Sequence, residues 1–254
     1  MYINTTGLVL RETAYKDSSK ILTVMTAGQG KLTVSAHGAL RKNSKIAAVT
    51  QLLAFSEMTL FQRKNRWTLT EARSVEQFIG LRTEIELLAL GAYFAELVEA
   101  VADEDAPSEE LLPLVLNALF ALSEKIKTPD YVKPAFELRL MVAAGFAPLI
   151  DSCSGCGAKE SQGSYLDYSA GTISCAACSI NRGAALSVGA LSAMRYIVSC
   201  DVKKLFSFTL GEGALRELTI AAEGYLLAHL DRTFRTLDYY KGLKINLHSR
   251  LNNL

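Results

Sequence analysis

Hydrophobic residues alternate with period two as far as Ser74 and follow a helical period beyond it, an order that few folds accommodate. In residues 30–36, Leu32, Val34 and Ala36 fall on one face and Lys31, Thr33 and Ser35 on the other, as in a half-buried strand. Similar runs at residues 3–10, 19–26, 52–61 and 67–72 complete five short strands. An open sheet of this kind would leave two sticky edges, so a closed five-stranded barrel of the OB type is the economical arrangement. An SH3-like barrel would produce a similar string. Gln62, Arg63, Lys64, Asn65 and Arg66 read as a five-residue basic tip joining the last two strands.

Charge is distributed unevenly along the chain. Residues 30–70 contain a single acid, Glu57, while the connection after the third strand carries His37, Arg41, Lys42 and Lys45. Residues 1–80 have net charge +6, residues 81–150 have −7 and residues 151–254 have +2, so the overall +1 conceals a basic front and an acidic middle. A basic barrel suits a polyanion, and Arg41, Lys42, Lys45, Arg63, Lys64 and Arg66 are the candidates to neutralise phosphates, with Lys31, Lys20 and Arg11 as flanking support. Trp67 fits either a stacking platform or the core, the core being the commoner fate of a lone Trp that opens a strand. Lys and Arg at turns also serve plain solubility. The rival reading is therefore a protein-interaction adaptor that does not bind DNA.

Beyond Ser74, Thr83 and Glu86 have capping-box spacing ahead of an apolar stripe through Ile85, Leu88, Ala92, Ala95 and Val98. Ser108 can cap a helix over residues 111–126, and a third helix over 131–144 meets its stop at Gly145. That third helix is apolar nearly all round, which puts it at the centre of a bundle. Ser187 caps a later helix that ends near Cys200, whose thiol reads as buried and inert. The closing segment sets Arg232, Arg235, Lys241, Lys244 and Arg250 among Phe234, Leu237, Tyr239 and Tyr240, and it reads as a docking helix with a solvated face rather than a nucleic-acid contact.

Cys153 and Cys156, then Cys175 and Cys178, form two Cys-x-x-Cys pairs separated by eighteen residues, the spacing of a four-thiolate zinc ribbon. Four thiolates leave no open coordination position, so one structural zinc ion is expected. Residues 164–168 and 172–174 can pair between the cysteine pairs as a hairpin.

Catalytic signatures are missing. The three histidines are scattered and none begins a His-x-Glu pair, Gly28 to Leu32 lacks the Ser or Thr of a phosphate loop, and no Gly-x-Ser-x-Gly elbow occurs. The reading is of a protein that is not an enzyme. Residues 1–17 do not have the layout of a signal peptide, and the apolar run at 111–122 is too short to span a bilayer, so a cytoplasmic protein without a membrane segment is expected.

Taken together, the chain resembles the RecO family of bacterial recombination mediators. The resemblance rests on Gly7, Leu8, Val9 and Leu10; on Gly30 with Lys31, followed by His37 to Lys42; on Phe136 to Leu140 leading to Gly145, Phe146, Ala147 and Pro148; on Cys153, Cys156 and Gly157; and on Tyr225 to Leu230. It implies an α+β architecture: an N-terminal five-stranded OB-type β-barrel at 1–78, an α-helical domain at 79–150 and 183–254, and an inserted four-cysteine zinc ribbon at 151–182. It further implies binding of single- and double-stranded DNA, strand annealing, and cooperation with RecR in loading RecA onto DNA coated by single-stranded-DNA-binding protein. The acidic C-terminal tail of that coating protein would be recognised, with Arg139 as the candidate contact, and the protein would be nucleoid-associated.

Overall fold

A computed structural model describes residues 1–104, 106–159, 162–179 and 183–251, side chains of 246–251 excepted. The chain forms two compact units, Met1–Glu124 with Phe234–Leu254, and Lys125–Thr233.

In the first unit, β1 (Tyr2–Tyr15), β2 (Ser19–Thr26), β3 (Gly30–Ala36), β4 (Phe55–Arg63) and β5 (Arg66–Glu76) close into a barrel in the order β1-β2-β3-β5-β4. Closure depends on a short parallel pairing of β3 with β5, Val34 opposite Trp67 and Ser35 opposite Thr68. β1 pairs with β4 along its first half and with β2 along its second, which is why it extends well past the expected residue 10. Leu22, Val24, Leu32, Val34, Leu60 and Leu69 fill the interior. Trp67 joins them at 7% exposure, so it belongs to the core. The β4–β5 tip is tighter than expected. Arg63 and Arg66 pair as strand residues, and only Lys64 and Asn65 make the turn, both with positive φ (49° and 56°). A two-residue turn of this hand matches the twist of its strands, as a five-residue loop need not.

Gly30 shows why a glycine starts β3. Its φ is +68°, and a Cβ there would lie 2.1 Å from the Ala106 carbonyl oxygen. The Lys31 N–H donates to the Asp103 carbonyl at 3.4 Å, so the chain at Asp103 and Glu104 lies along the β3 edge that β5 leaves uncovered. Gly30→Ala combines backbone strain with a clash against backbone, and should cost about 2 kcal/mol or more in a denaturant titration. A variant as stable as its parent would show that this approach is not made.

Helices α1 (Ile79–Thr83), α2 (Ile85–Val101) and α3 (Leu111–Ser123) follow, and α7 (Arg235–Leu251) belongs to the same unit. The Thr83 capping box does not form. Thr83 is the last residue of the short α1 and donates its hydroxyl to the Gly80 carbonyl at 2.8 Å, leaving Glu84 at the start of α2. Ser108 does accept from the Leu111 N–H, at 3.3 Å. α7 packs on α2 through buried Phe234, Leu237 and Tyr240, with the Phe234 ring edge-on to Tyr93 at 6.0 Å. The Arg250 side chain lies outside the described residues.

The second unit contains α4 (Pro129–Ala143), α5 (Val188–Ser199) and α6 (Glu212–Leu230) with a three-stranded sheet ordered β7-β6-β8. α4 is buried on nearly every side and ends at Gly145, φ +85°. There the Phe146 N–H bonds to the Met141 carbonyl at 2.8 Å and the Gly145 N–H to that of Val142 at 3.0 Å. β6 (Ser164–Asp167) and β7 (Thr172–Cys175) form the expected hairpin. The third strand, β8 (Ala184–Leu186), is additional to that hairpin and pairs with β6. Cys200 sits half-buried at the end of α5, less enclosed than expected, and burial still pushes its thiol pKa up.

Candidate nucleic-acid interface and metal centre

The register of the barrel sorts the candidate cations by position. β2 begins opposite the end of β3, Lys20 facing Ala36, and the Leu40 N–H donates to the Ser18 carbonyl at 3.0 Å. The connection bearing Arg41, Lys42 and Lys45 therefore sits at the β1–β2 end of the barrel. It is a run of turns, with Arg41 N–H bonded to Gly38 and Ser44 N–H to Arg41, anchored by buried Ala39. The tip bearing Arg63, Lys64 and Arg66 points the other way, since the parallel pairing of Val34 with Trp67 sets the start of β5 beside the middle of β3 and the tip beyond it toward Gly30. Three to four residues of β3 thus separate the two basic turns, roughly 12 Å at about 3.3 Å per residue.

All six of these cations are exposed, and among the described residues none pairs with a carboxylate. The three proposed as flanking support are engaged within the protein. Arg11 reaches Glu99 at 2.8 Å and Thr23 at 3.4 Å, Lys31 donates to the Glu99 carbonyl at 2.9 Å, and Lys20 pairs with Glu12 and donates to the Thr50 carbonyl at 3.3 Å. Glu99 on α2 thereby braces the outer surface of β1–β2–β3, where Thr23 and Met25 are buried. On the opposite wall a depression of about 620 Å³ displays Glu57 and Glu71 beside Arg73, a net negative arrangement that repels anions. The unopposed positive charge is at the two barrel ends. Sequence reasoning could not find this division, because Glu99 lies far from its partners along the chain.

Arg139 of α4 is half-buried, and its Nη1 donates to the Val198 carbonyl at 2.8 Å in the last turn of α5, where a cation suits the helix end.

In the second unit, the sulfurs of Cys153, Cys156, Cys175 and Cys178 all lie within 4.8 Å of one another. Tetrahedral zinc–thiolate bonds would set sulfurs about 3.8 Å apart, and Cys156 and Cys175 stand at 3.8 Å. Backbone turns bring the pairs together, the Gly157 N–H bonding to the Cys153 carbonyl and the Cys178 N–H to that of Cys175. The N–H groups of Cys175 and Gly155 point at the Cys153 sulfur, at 3.2 and 3.4 Å. With Cys175 contributing most, backbone donors hold the Cys153 thiol down at about 6, whereas hydrogen bonding with the neighbouring thiols, Cys175 first, pushes Cys178 up to about 12. Four sulfurs this close compete for protons, and a divalent cation relieves the competition by accepting four thiolates. The donor set fits a closed four-thiolate ion. Arg195 of α5 steadies the approach to the first pair, donating to the carbonyls of Ile150 (2.8 Å), Asp151 (2.9 Å) and Lys159 (3.1 Å).

The family model described as Recombination protein O N terminal matches residues 1–78, and that described as Recombination protein O C terminal matches residues 82–238. The chain is 33% identical over 244 residues to the DNA repair protein RecO of Acetivibrio thermocellus, covering 95% of this chain and 97% of that one. It is 30% identical over 246 residues to the protein of that name from Symbiobacterium thermophilum, with 95% and 97% covered. For the one from Caldicellulosiruptor bescii the figures are 28% over 239 residues, with 94% and 98% covered.

Proposed function

The chain belongs to the RecO family of DNA repair proteins, and on that premise we propose that it binds single- and double-stranded DNA through the two ends of its barrel. The observation that carries this reading is the set of six exposed, unpaired cations, Arg41, Lys42 and Lys45 at one end and Arg63, Lys64 and Arg66 at the other. Phosphate contacts of this kind carry no base information, so binding is largely independent of sequence. Spanning the roughly 12 Å between the two turns takes about four nucleotides at 3.4 Å each. Lys31, Lys20 and Arg11 act behind this surface, as braces of the barrel.

Bound along a shared surface, complementary strands would have their charge screened and could anneal. No covalent step is required, and the protein acts as a mediator and not as an enzyme. With RecR it would help RecA onto DNA coated by single-stranded-DNA-binding protein, whose acidic tail would meet the helical unit near Arg139. A cytoplasmic, nucleoid-associated place follows from that role. No helix among the described residues is long and apolar enough to cross a membrane. The four cysteines would hold one structural zinc ion.

The test is a fluorescent oligonucleotide titrated at several salt concentrations. Six phosphate contacts on single-stranded DNA give a slope of log affinity against log salt of about −4, a loss of roughly 300-fold between about 50 and about 200 mM. Salt-independent binding, or none, would favour the adaptor.

A further inference from the structure

The barrel mouth at the hairpin end contains a site that phosphate binding does not use. Below Val34 and Trp67 the strands β3 and β5 separate, and the opening forms a cavity of about 420 Å³. Gln29, Leu32, Thr33, Gln62, Asn65 and Trp67 line it. The volume is that of a small-molecule cleft, and barrel mouths commonly hold such clefts. The lining is polar in an unusual way. Among the described residues, the side-chain amides of Gln29, Gln62 and Asn65 and the hydroxyl of Thr33 hydrogen-bond to no other protein group. Lys31 and Glu104 also border the cavity, but the Lys31 ammonium is directed to the Glu99 carbonyl.

We propose that this mouth takes one unpaired nucleobase from a strand held at the rim by Arg63, Lys64 and Arg66. Amides carry a donor and an acceptor on one group, the combination that pairs with the edge of a base, and three of them converge here. Trp67 is 7% exposed, too little to stack a base, which makes recognition a matter of hydrogen bonds. A base inside a duplex has its pairing edge occupied, so the mouth favours single-stranded over double-stranded DNA. The inference rests on the DNA-binding reading above and assigns a base-contacting role to groups that reading leaves idle.

The test uses the full chain and the double variant Gln29→Ala with Asn65→Gly. Gln29 is exposed in a turn, and glycine tolerates the positive φ of Asn65, so the fold and the basic rim are retained; circular dichroism checks this. Binding is measured to a single strand, to the same strand built wholly of abasic nucleotides, and to a duplex of equal length. The variant should bind the single strand about tenfold more weakly, with the abasic strand and the duplex within about twofold of the parent. Equal losses on the normal and abasic strands, or no loss on either, would overturn the pocket while leaving phosphate binding intact. A parent protein that bound none of the three in a salt-sensitive way would overturn the DNA-binding reading, and the pocket with it.

Discussion

Lys133→Met should lower the unfolding free energy of the helical unit by about 3–5 kcal/mol. Lys133 of α4 is 5% exposed and lies 2.8 Å from both Glu137 Oε1, fully buried on the same helix, and Glu223 Oε2 on α6. Burial alone would drive the ammonium pKa down, but attraction to Glu137 and Glu223 outweighs it and the pKa ends above the usual lysine value. Removing the cation leaves two carboxylates facing each other out of reach of water. Because the folded pKa is raised, this stabilisation is fully present below the ordinary lysine pKa of 10.5 and disappears only as pH rises through the folded value. The parent should therefore keep this stabilisation from pH 6 to pH 9, whereas the carboxylates left without a cation in the variant take up protons as pH falls, so urea titrations should give a larger difference between parent and variant at pH 9 than at pH 6. The double variant Lys133→Met with Glu137→Leu replaces the buried pair by apolar bulk, and should regain most of the loss. Equal stability of parent and single variant would mean that the charges are not buried together.

Removing the metal should have a larger effect, confined to the ribbon. The protein should purify with one zinc per chain, and Cys153→Ser together with Cys175→Ser should abolish it. Structural zinc in small domains contributes about 10–16 kcal/mol of apparent binding energy. Without it, β6, β7 and β8 have too little core of their own to stay ordered. Amide exchange should then lose protection in these strands while the barrel strands keep theirs. Cys156 and Cys178 are exposed, so a strong chelator should reproduce the result slowly on the parent protein. Metal-free protein with unchanged protection would sink the assignment.

Much of this was legible in the residues. The alternation in β2 and β3 marked two strands to the residue, and the cysteine spacing located the four-thiol cluster. Local signals were less secure where a neighbour competed for the same group, as α1 did for Thr83. What stayed hidden was non-local. Nothing near Arg11 or Lys31 announces that Glu99 will claim them, and nothing in the two basic turns tells which end of the barrel each will occupy. Lys133 and Glu137 stand at the spacing of an ordinary exposed helix pair, and only packing of α4 on α6 reveals them as buried. β8 has three residues after a glycine, too few to carry a period.

The composition of the first unit has a consequence for the order of events at the ribosome. Its barrel and early helices emerge first, yet the surface of α2 that receives Phe234, Leu237 and Tyr240 stays uncovered until the last helix is made. Lys125–Thr233, uninterrupted in sequence, can collapse before then. The first unit, begun before the second, is thus completed only after it, and nascent chains halted before Phe234 should be the species most in need of a chaperone.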